Sequence, residues 1–161
     1  MYRSLTGLLL CSLLSAPAVA ADHMTKDLIQ KVIEATDAAA MKRDAAEIGV
    51  YLGESFERVI DVPYLGAIEQ ARIGKMDYLQ MIEQGWKDTS EYTTQRDDIK
   101  IMLLPDGISG ESYSTITEKM VVDGVKMTSR FREYAVYELE DGRPVITEVS
   151  GHKLLGDTTP D

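Results

Sequence analysis

The chain has 161 residues, 17 basic and 27 acidic side chains, and a formal charge of −10. So acidic a surface repels phosphate backbones and anionic lipid heads, which argues against nucleic-acid binding. A single cysteine, Cys11, excludes an internal disulfide.

The first residues read as a secretory leader. Met1, Tyr2 and Arg3 form a short basic start, Leu5 to Leu14 is an apolar run of h-region length, and Ala18-Val19-Ala20 is an A-x-A site. The cut is expected after Ala20, and the run is too short to span a membrane. Leu10 is bulky where a lipobox before Cys11 needs a small residue, so Cys11 is not read as a lipidation site. The mature chain then has 141 residues, 16 of them basic and 27 acidic, and no cysteine. Nothing in it is apolar enough to cross a membrane. One domain over residues 21–161 is expected, in the periplasm or outside the cell, with a core in place of disulfides. His23 falls in its unstructured start.

Thr25 to about Lys42 reads as a helix, with Leu28, Ile29, Val32, Ile33, Thr36, Ala39 and Ala40 in one stripe. Asp44, with Glu47 three residues on, starts a short second helix to about Leu52, which Gly53 ends. Ser55 to Val62 is a strand that Pro63 stops. Tyr64 to Ile73 reads as either a bent strand or a loop. Asp77 to about Lys87 is a helix carrying Tyr78, Leu79, Ile82 and Trp86 on one face.

The last third organises the rest. Asp106-Gly107, Asp123-Gly124 and Asp141-Gly142 lie 17 and 18 residues apart, with β-branched and aromatic runs between them. Asp-Gly suits two-residue hairpin turns, so four antiparallel strands are predicted: 91–104, 108–122, 125–140 and 143–154. Strands of that length curl, and helices then fill the hollow. The fold class is α+β, with N-terminal helices packed into a curved, mainly antiparallel sheet, a cone-shaped α+β barrel.

The run from Val136 to Arg143, reading Val-Tyr-Glu-Leu-Glu-Asp-Gly-Arg, resembles the strand–turn–strand that closes nuclear transport factor 2-like domains, with Pro144 where those domains usually carry Trp. The run from Ala38 to Ala46 resembles the junction of their first two helices. The resemblance covers about Thr25 to Leu154. It implies the cone fold and a homodimer through the outer sheet face. It does not select an activity, because such domains include ketosteroid isomerase, scytalone dehydratase, limonene epoxide hydrolase, polyketide cyclases and kinase association domains.

Register places the candidate site. A tight turn at Asp123-Gly124 pairs Met120 with Met127, Ile116 with Phe131, and Ser114 with Glu133. A tight turn at Asp141-Gly142 pairs Tyr137 with Ile146, Ala135 with Glu148, Glu133 with Ser150, and Phe131 with His152. One face then holds Phe131 and Tyr137 together with Ser114, Glu133, Glu148 and His152, and the more apolar composition of that face points it at the hollow. Two carboxylates and an imidazole there suit proton transfer, with one carboxylate raised by burial and repulsion. If the cone opens at this level, the same residues are a solvated rim. A one-residue bulge would send half of them outward. Tyr64 at the mouth and Trp86 on its helix are either ligand contacts or core. No metal site or cofactor motif is present.

Three functions follow. The first is an exported, non-catalytic domain binding a small amphipathic ligand in the hollow. The others are an interaction module using the outer face, and an isomerase, dehydratase or hydrolase using Glu133, Glu148 or His152.

Overall fold

The computed structural model describes residues 20–64 and 67–154, except for the side chains at 63, 64, 67 and 68. The proposed leader, up to residue 19, lies outside the described residues. The chain runs α1 (Lys26–Lys42), α2 (Ala45–Gly49), β1 (Leu52–Tyr64), β2 (Ala67–Gly74), α3 (Lys75–Lys87), β3 (Thr89–Leu103), β4 (Ser109–Val122), β5 (Val125–Glu140) and β6 (Arg143–Lys153). The strands form one curved six-stranded sheet in the order β2-β1-β6-β5-β4-β3. All pairs are antiparallel except β1 with β6.

The helix starts obey local chemistry. Thr25 Oγ1 accepts the Leu28 N–H at 3.2 Å, and the Asp44 carboxylate accepts the Glu47 N–H at 2.8 Å. Each thereby satisfies a donor that the first turn leaves orphaned. Arg43 closes α1 in the left-handed region, at φ 57°. Helix α2 stops earlier than its capping signature suggests. The Tyr51 carbonyl accepts the Ile146 N–H at 2.8 Å, so β6 captures the chain and Leu52 and Gly53 enter β1. Gly53 fits there because a Cβ would come within 2.5 Å of Glu140 Oε1.

Two further elements differ from the expectation. The segment left open between strand and loop is β2, paired with β1 from Tyr64↔Ala67 to Glu57↔Gly74. Pro63 does not stop β1 but pairs with Ile68. It is tolerated because pairing with β6 ends at Val59↔Ser150, so one edge of β1 is open at that point.

Two of the three Asp-Gly pairs make the expected two-residue turns. Asp123, Gly124, Asp141 and Gly142 all have positive φ, between 51° and 78°. The first pair sits in a longer loop, because Pro105 has no N–H to pair across a two-residue turn and instead takes the second position of a turn begun at Leu104. Gly107 N–H returns to the Leu104 carbonyl, and the Asp106 carboxylate accepts the N–H groups of Ile108 and Ser109, both at 3.0 Å. The start of the chain is also fixed: Ala21 N–H bonds Gly142 O and Met24 N–H bonds Gly107 O, each at 2.9 Å, and Met24 is buried. The expected unstructured stretch around His23 is thus pinned between two turns.

Register follows the prediction through the whole of β4·β5, including Ser114↔Glu133 and Ile116↔Phe131. In β5·β6 it holds from Glu140↔Arg143 to Tyr137↔Ile146 and then slips, since Val136 faces Glu148 and Thr147 has no partner. Thr147 is therefore the extra residue of a bulge, buried beside Ile146. Beyond it the faces exchange. Val149, Gly151 and Lys153 turn inward, and Glu148, Ser150 and His152 turn outward. A second bulge lies in β3 between Asp97 and Lys100, with Asp98 at φ 55°. Asp97-Asp98 is thus an exposed mid-strand kink; Asp tolerates the left-handed region better than most residues.

The core lies between α1 and the inner sheet face. Ile29, Val32 and Ile33 pack against Phe56, Ala135, Tyr137 and Ile146, all buried. The large aliphatic side chains and Phe56 contribute about 1.5–3 kcal/mol each by leaving water. Ile29 comes so close to β4 that a Cβ on Gly110 would meet its Cδ1 at 2.5 Å. Among the described residues no helix is long and apolar enough to cross a membrane.

Candidate functional site

Beyond that core the cone remains open as a cavity of about 490 Å³. Strand alternation supplies its walls at every second residue: Tyr92, Thr94 and Arg96 from β3, Ile116, Glu118 and Met120 from β4, and Ser129, Phe131 and Glu133 from β5. Phe56, Arg58 and Ile60 of β1 continue the series. Helix α1 adds Thr36, Asp37 and Ala40, and α3 adds Tyr78, Ile82 and Trp86. The aromatics are layered. Phe56 and Tyr78 lie 5.2 Å apart between centroids, and Trp86 meets Tyr92 edge-on at 5.9 Å.

One wall carries a charged cluster. Arg96 Nε donates to Asp37 Oδ2 at 2.9 Å and its Nη2 to Oδ1 at 2.9 Å, a two-pronged grip. Arg96 Nη1 donates to Glu133 Oε1 and to Ser114 Oγ, both at 2.7 Å. Arg58 Nη1 stands 3.7 Å from Glu133 Oε2. Burial works against the Arg96 charge, but the carboxylate of Glu133 and the hydrogen bonds of Asp37 outweigh it and hold the guanidinium above its ordinary value. Farther along, Tyr92 donates its hydroxyl to Glu118 at 2.6 Å; burial first, then the Glu118 charge, raise that phenol. Burial also pushes Tyr78 and Tyr137 up to about 12, and Tyr137 shares a hydrogen bond with Ser112 at 3.0 Å.

The structure thus gathers Glu133, Phe131, Tyr137 and Trp86 around one cavity, with Ser114 just behind Glu133. It does not bring Glu148 or His152 to them. The Thr147 bulge rotates both outward, where Glu148 pairs with Arg72 at 3.3 Å and His152 bonds Asp61 at 3.0 Å. His152 is 68 % exposed there. The repulsion between two carboxylates and the imidazole relay expected from sequence are consequently absent, and Glu133 has guanidinium neighbours instead. Tyr64 ends β1, and its side chain lies outside the described residues. Among the described residues no cluster of His, Cys, Asp and Glu could hold a metal ion.

Sequence reasoning missed Asp37, Arg58 and Arg96. Asp37 was readable as the one acidic residue inside the apolar stripe of α1, beside Thr36 and Ala40. Arg58 alternates in phase with Phe56 and Ile60, which is also visible in the sequence. Arg96 carries no local signal, because its partners lie 59 and 37 residues away.

Compared with protein-family models and with curated protein sequences, the chain finds no match. Solved structures do match. The hexachlorocyclohexane dehydrochlorinase LinA-type3 from Novosphingobium barchaimii aligns at TM-score 0.67 and 12 % identity, over 84 % of this chain and 88 % of its own. An NTF2-like protein from Cytophaga hutchinsonii aligns at 0.64 and 17 %, over 81 % of this chain and all of its own. A protein with a cystatin-like fold from Caulobacter vibrioides aligns at 0.65 and 16 %, over 81 % and 89 %. At such identities the likeness concerns the backbone, and it agrees with the curved sheet and inner helices described above: the chain has the nuclear transport factor 2-like fold.

Proposed function

We propose that the chain is an exported domain that binds a small amphipathic molecule inside the cone. The observation that carries this reading is the cavity of about 490 Å³, apolar and aromatic over most of its wall and charged on one side. That size and that lining suit a drug-sized ligand with one polar end. Proton-transfer chemistry has less support. Two of its three candidate residues, Glu148 and His152, face away from the cavity, and Glu133 Oε1 is engaged by Arg96. The likeness to a dehydrochlorinase, at 12 % identity, is one of fold. Export rests on the leader signature of residues 1–20.

Native mass spectrometry of protein purified from its own host tests the proposal. A non-covalent adduct is expected on the wild type. It should be lost from Ala40→Phe, which fills the cavity from α1 while circular dichroism stays unchanged. An adduct that persists in the filled variant would place the ligand elsewhere and end this reading.

Outer-face tyrosines favour a second reading beside the first. Tyr113 and Tyr134 lie 4.9 Å apart between ring centroids, tilted by 45°, on the outside of the sheet, and Tyr113 is 45 % exposed. Amphipathic rings so placed suit a homodimer contact, which the same spectra report as subunit count.

A further inference from the structure

The charged wall has an uneven distribution of spent and unspent hydrogen-bonding groups. Six charged residues line the cavity: Asp37, Glu118 and Glu133 against Arg58, Arg96 and Lys153. In a chain of charge −10 this is a locally balanced patch. Every carboxylate there already accepts a hydrogen bond, Asp37 and Glu133 from Arg96 and Glu118 from Tyr92. The donors are not all spent. Among the described residues no group accepts a hydrogen bond from Arg58; its nearest counter-charge is Glu133 Oε2 at 3.7 Å, although its side chain is only 16 % exposed. A guanidinium has five N–H donors. No fully buried side-chain nitrogen or oxygen among the described residues lacks a partner, so the unpaired donors of Arg58 are open to the cavity and free to meet a ligand.

The fold also makes room for that guanidinium. Gly151, turned inward by the Thr147 bulge, lies where a Cβ would meet Arg58 Nη2 at 2.9 Å. Tyr78 stands over Phe56, two residues before Arg58 on the same face of β1. Its hydroxyl likewise has no hydrogen-bond partner among the described residues, and burial, which pushes it up to about 12, keeps it a donor. Lys153 lines the cavity beyond Phe131, its strand partner.

We infer that the molecule taken up by the cone is an amphipathic carboxylic acid, bound as its monoanion with the carboxylate on Arg58 and the Tyr78 hydroxyl and the apolar body among Phe56, Ile116 and Trp86. This rests on the cavity reading above and adds the sign and shape of the head group. The planar fork of an arginine matches the two oxygens of a carboxylate. A dianion such as a phosphate monoester is disfavoured by the three carboxylates already on the wall. A cationic head group would find those carboxylates occupied and Arg58 opposed to it.

Trp86 is the only tryptophan in the chain and lines the cavity, so its emission reads occupancy directly. Wild-type protein should be titrated with decanoate, decan-1-ol and decyltrimethylammonium, which share one apolar body. Decanoate is expected to bind at least about tenfold more tightly than the other two, as a charge-assisted hydrogen bond supplies. Arg58→Gln should abolish that preference while the alcohol still binds. Arg58→Lys, which keeps the charge and loses the fork, should retain part of it and guards against a folding defect in the first variant. Equal affinity for all three probes in the wild type overturns the head-group inference and leaves the cavity reading standing. An unaltered preference in Arg58→Gln overturns it as well. No binding of any probe removes both.

Discussion

The two helices that face the inside of the cone are anchored very differently. Helix α1 buries Ile29, Val32, Ile33 and Ala39 completely or nearly so, whereas α3 buries no residue, and its inward side chains Tyr78, Leu79, Ile82 and Trp86 stop half-way. Helix α1 is capped by a side chain; α3 begins at Gly74 without one. Both nevertheless line the cavity. The difference separates two duties: α1 and the meander make the core, and α3 makes a half-buried wall of the cavity. Regions with few buried apolar contacts open at lower free energy.

The largest expected effect sharpens this contrast. Ile29→Ala should cost about 3 kcal/mol in urea unfolding, because it empties a site closed on every side. Leu79→Ala on α3 should cost no more than about 1 kcal/mol, since solvent already reaches it. Equal losses at the two positions would break the comparison.

Next is the clamp that ties α1 to the sheet. Asp37→Asn removes the charge that Arg96 grips while leaving Arg96, 10 % exposed, beside Glu133 alone. A loss of about 1–3 kcal/mol is expected, less than for a fully buried pair because Asp37 is 31 % exposed. The same unfolding curves measure it.

Alkaline pH probes the inner wall more gently. Tyr137 releases its proton near pH 10 when unfolded and only at about 12 when folded, burial being the main cause. Its contribution is therefore complete below pH 10 and disappears as pH rises from 10 to 12. Unfolding free energies measured through that window should fall more for the wild type than for Tyr137→Phe, by roughly 2 kcal/mol at the upper end.

The smallest effect is expected on the outside. Arg72 bonds Glu57 and Glu148, but all three stand in water. Arg72→Ala should leave the urea midpoint unchanged, because exposed ion pairs are screened and entropically expensive to hold.

How far the sequence could be read follows the same division. Positions governed by near neighbours were legible: the Thr25 and Asp44 caps, the α1 stripe, the tight turns at Asp123 and Asp141, and the β4·β5 register that put Glu133 opposite Ser114. What required distant partners was not. The Thr147 bulge has no glycine or proline to announce it, and it alone removed Glu148 and His152 from the candidate site. Residues 64 to 73 were ambiguous because β2 is an edge strand, exposed along much of its length, with little apolar alternation to reveal it. The clamp of Asp37, Arg96 and Glu133 joins α1, β3 and β5, and no spacing rule connects them.

The bulge at Thr147 behaves as a phase shift in a two-letter rhythm. Deleting Thr147 would keep the observed pairs, whereas pairing it with Val136 in place of bulging would restore strict alternation along β6 and exchange the two sides of everything after it. Val149, Gly151 and Lys153 would leave the interior, taking with them the niche that admits Arg58, and Glu148, Ser150 and His152 would replace them. A neutral, arginine-bearing chamber would become an acidic one with an imidazole, although no lining residue had been substituted. In a cone of this kind, the presence or absence of a single bulge is thus a route to new chemistry that comparing side chains alone would overlook.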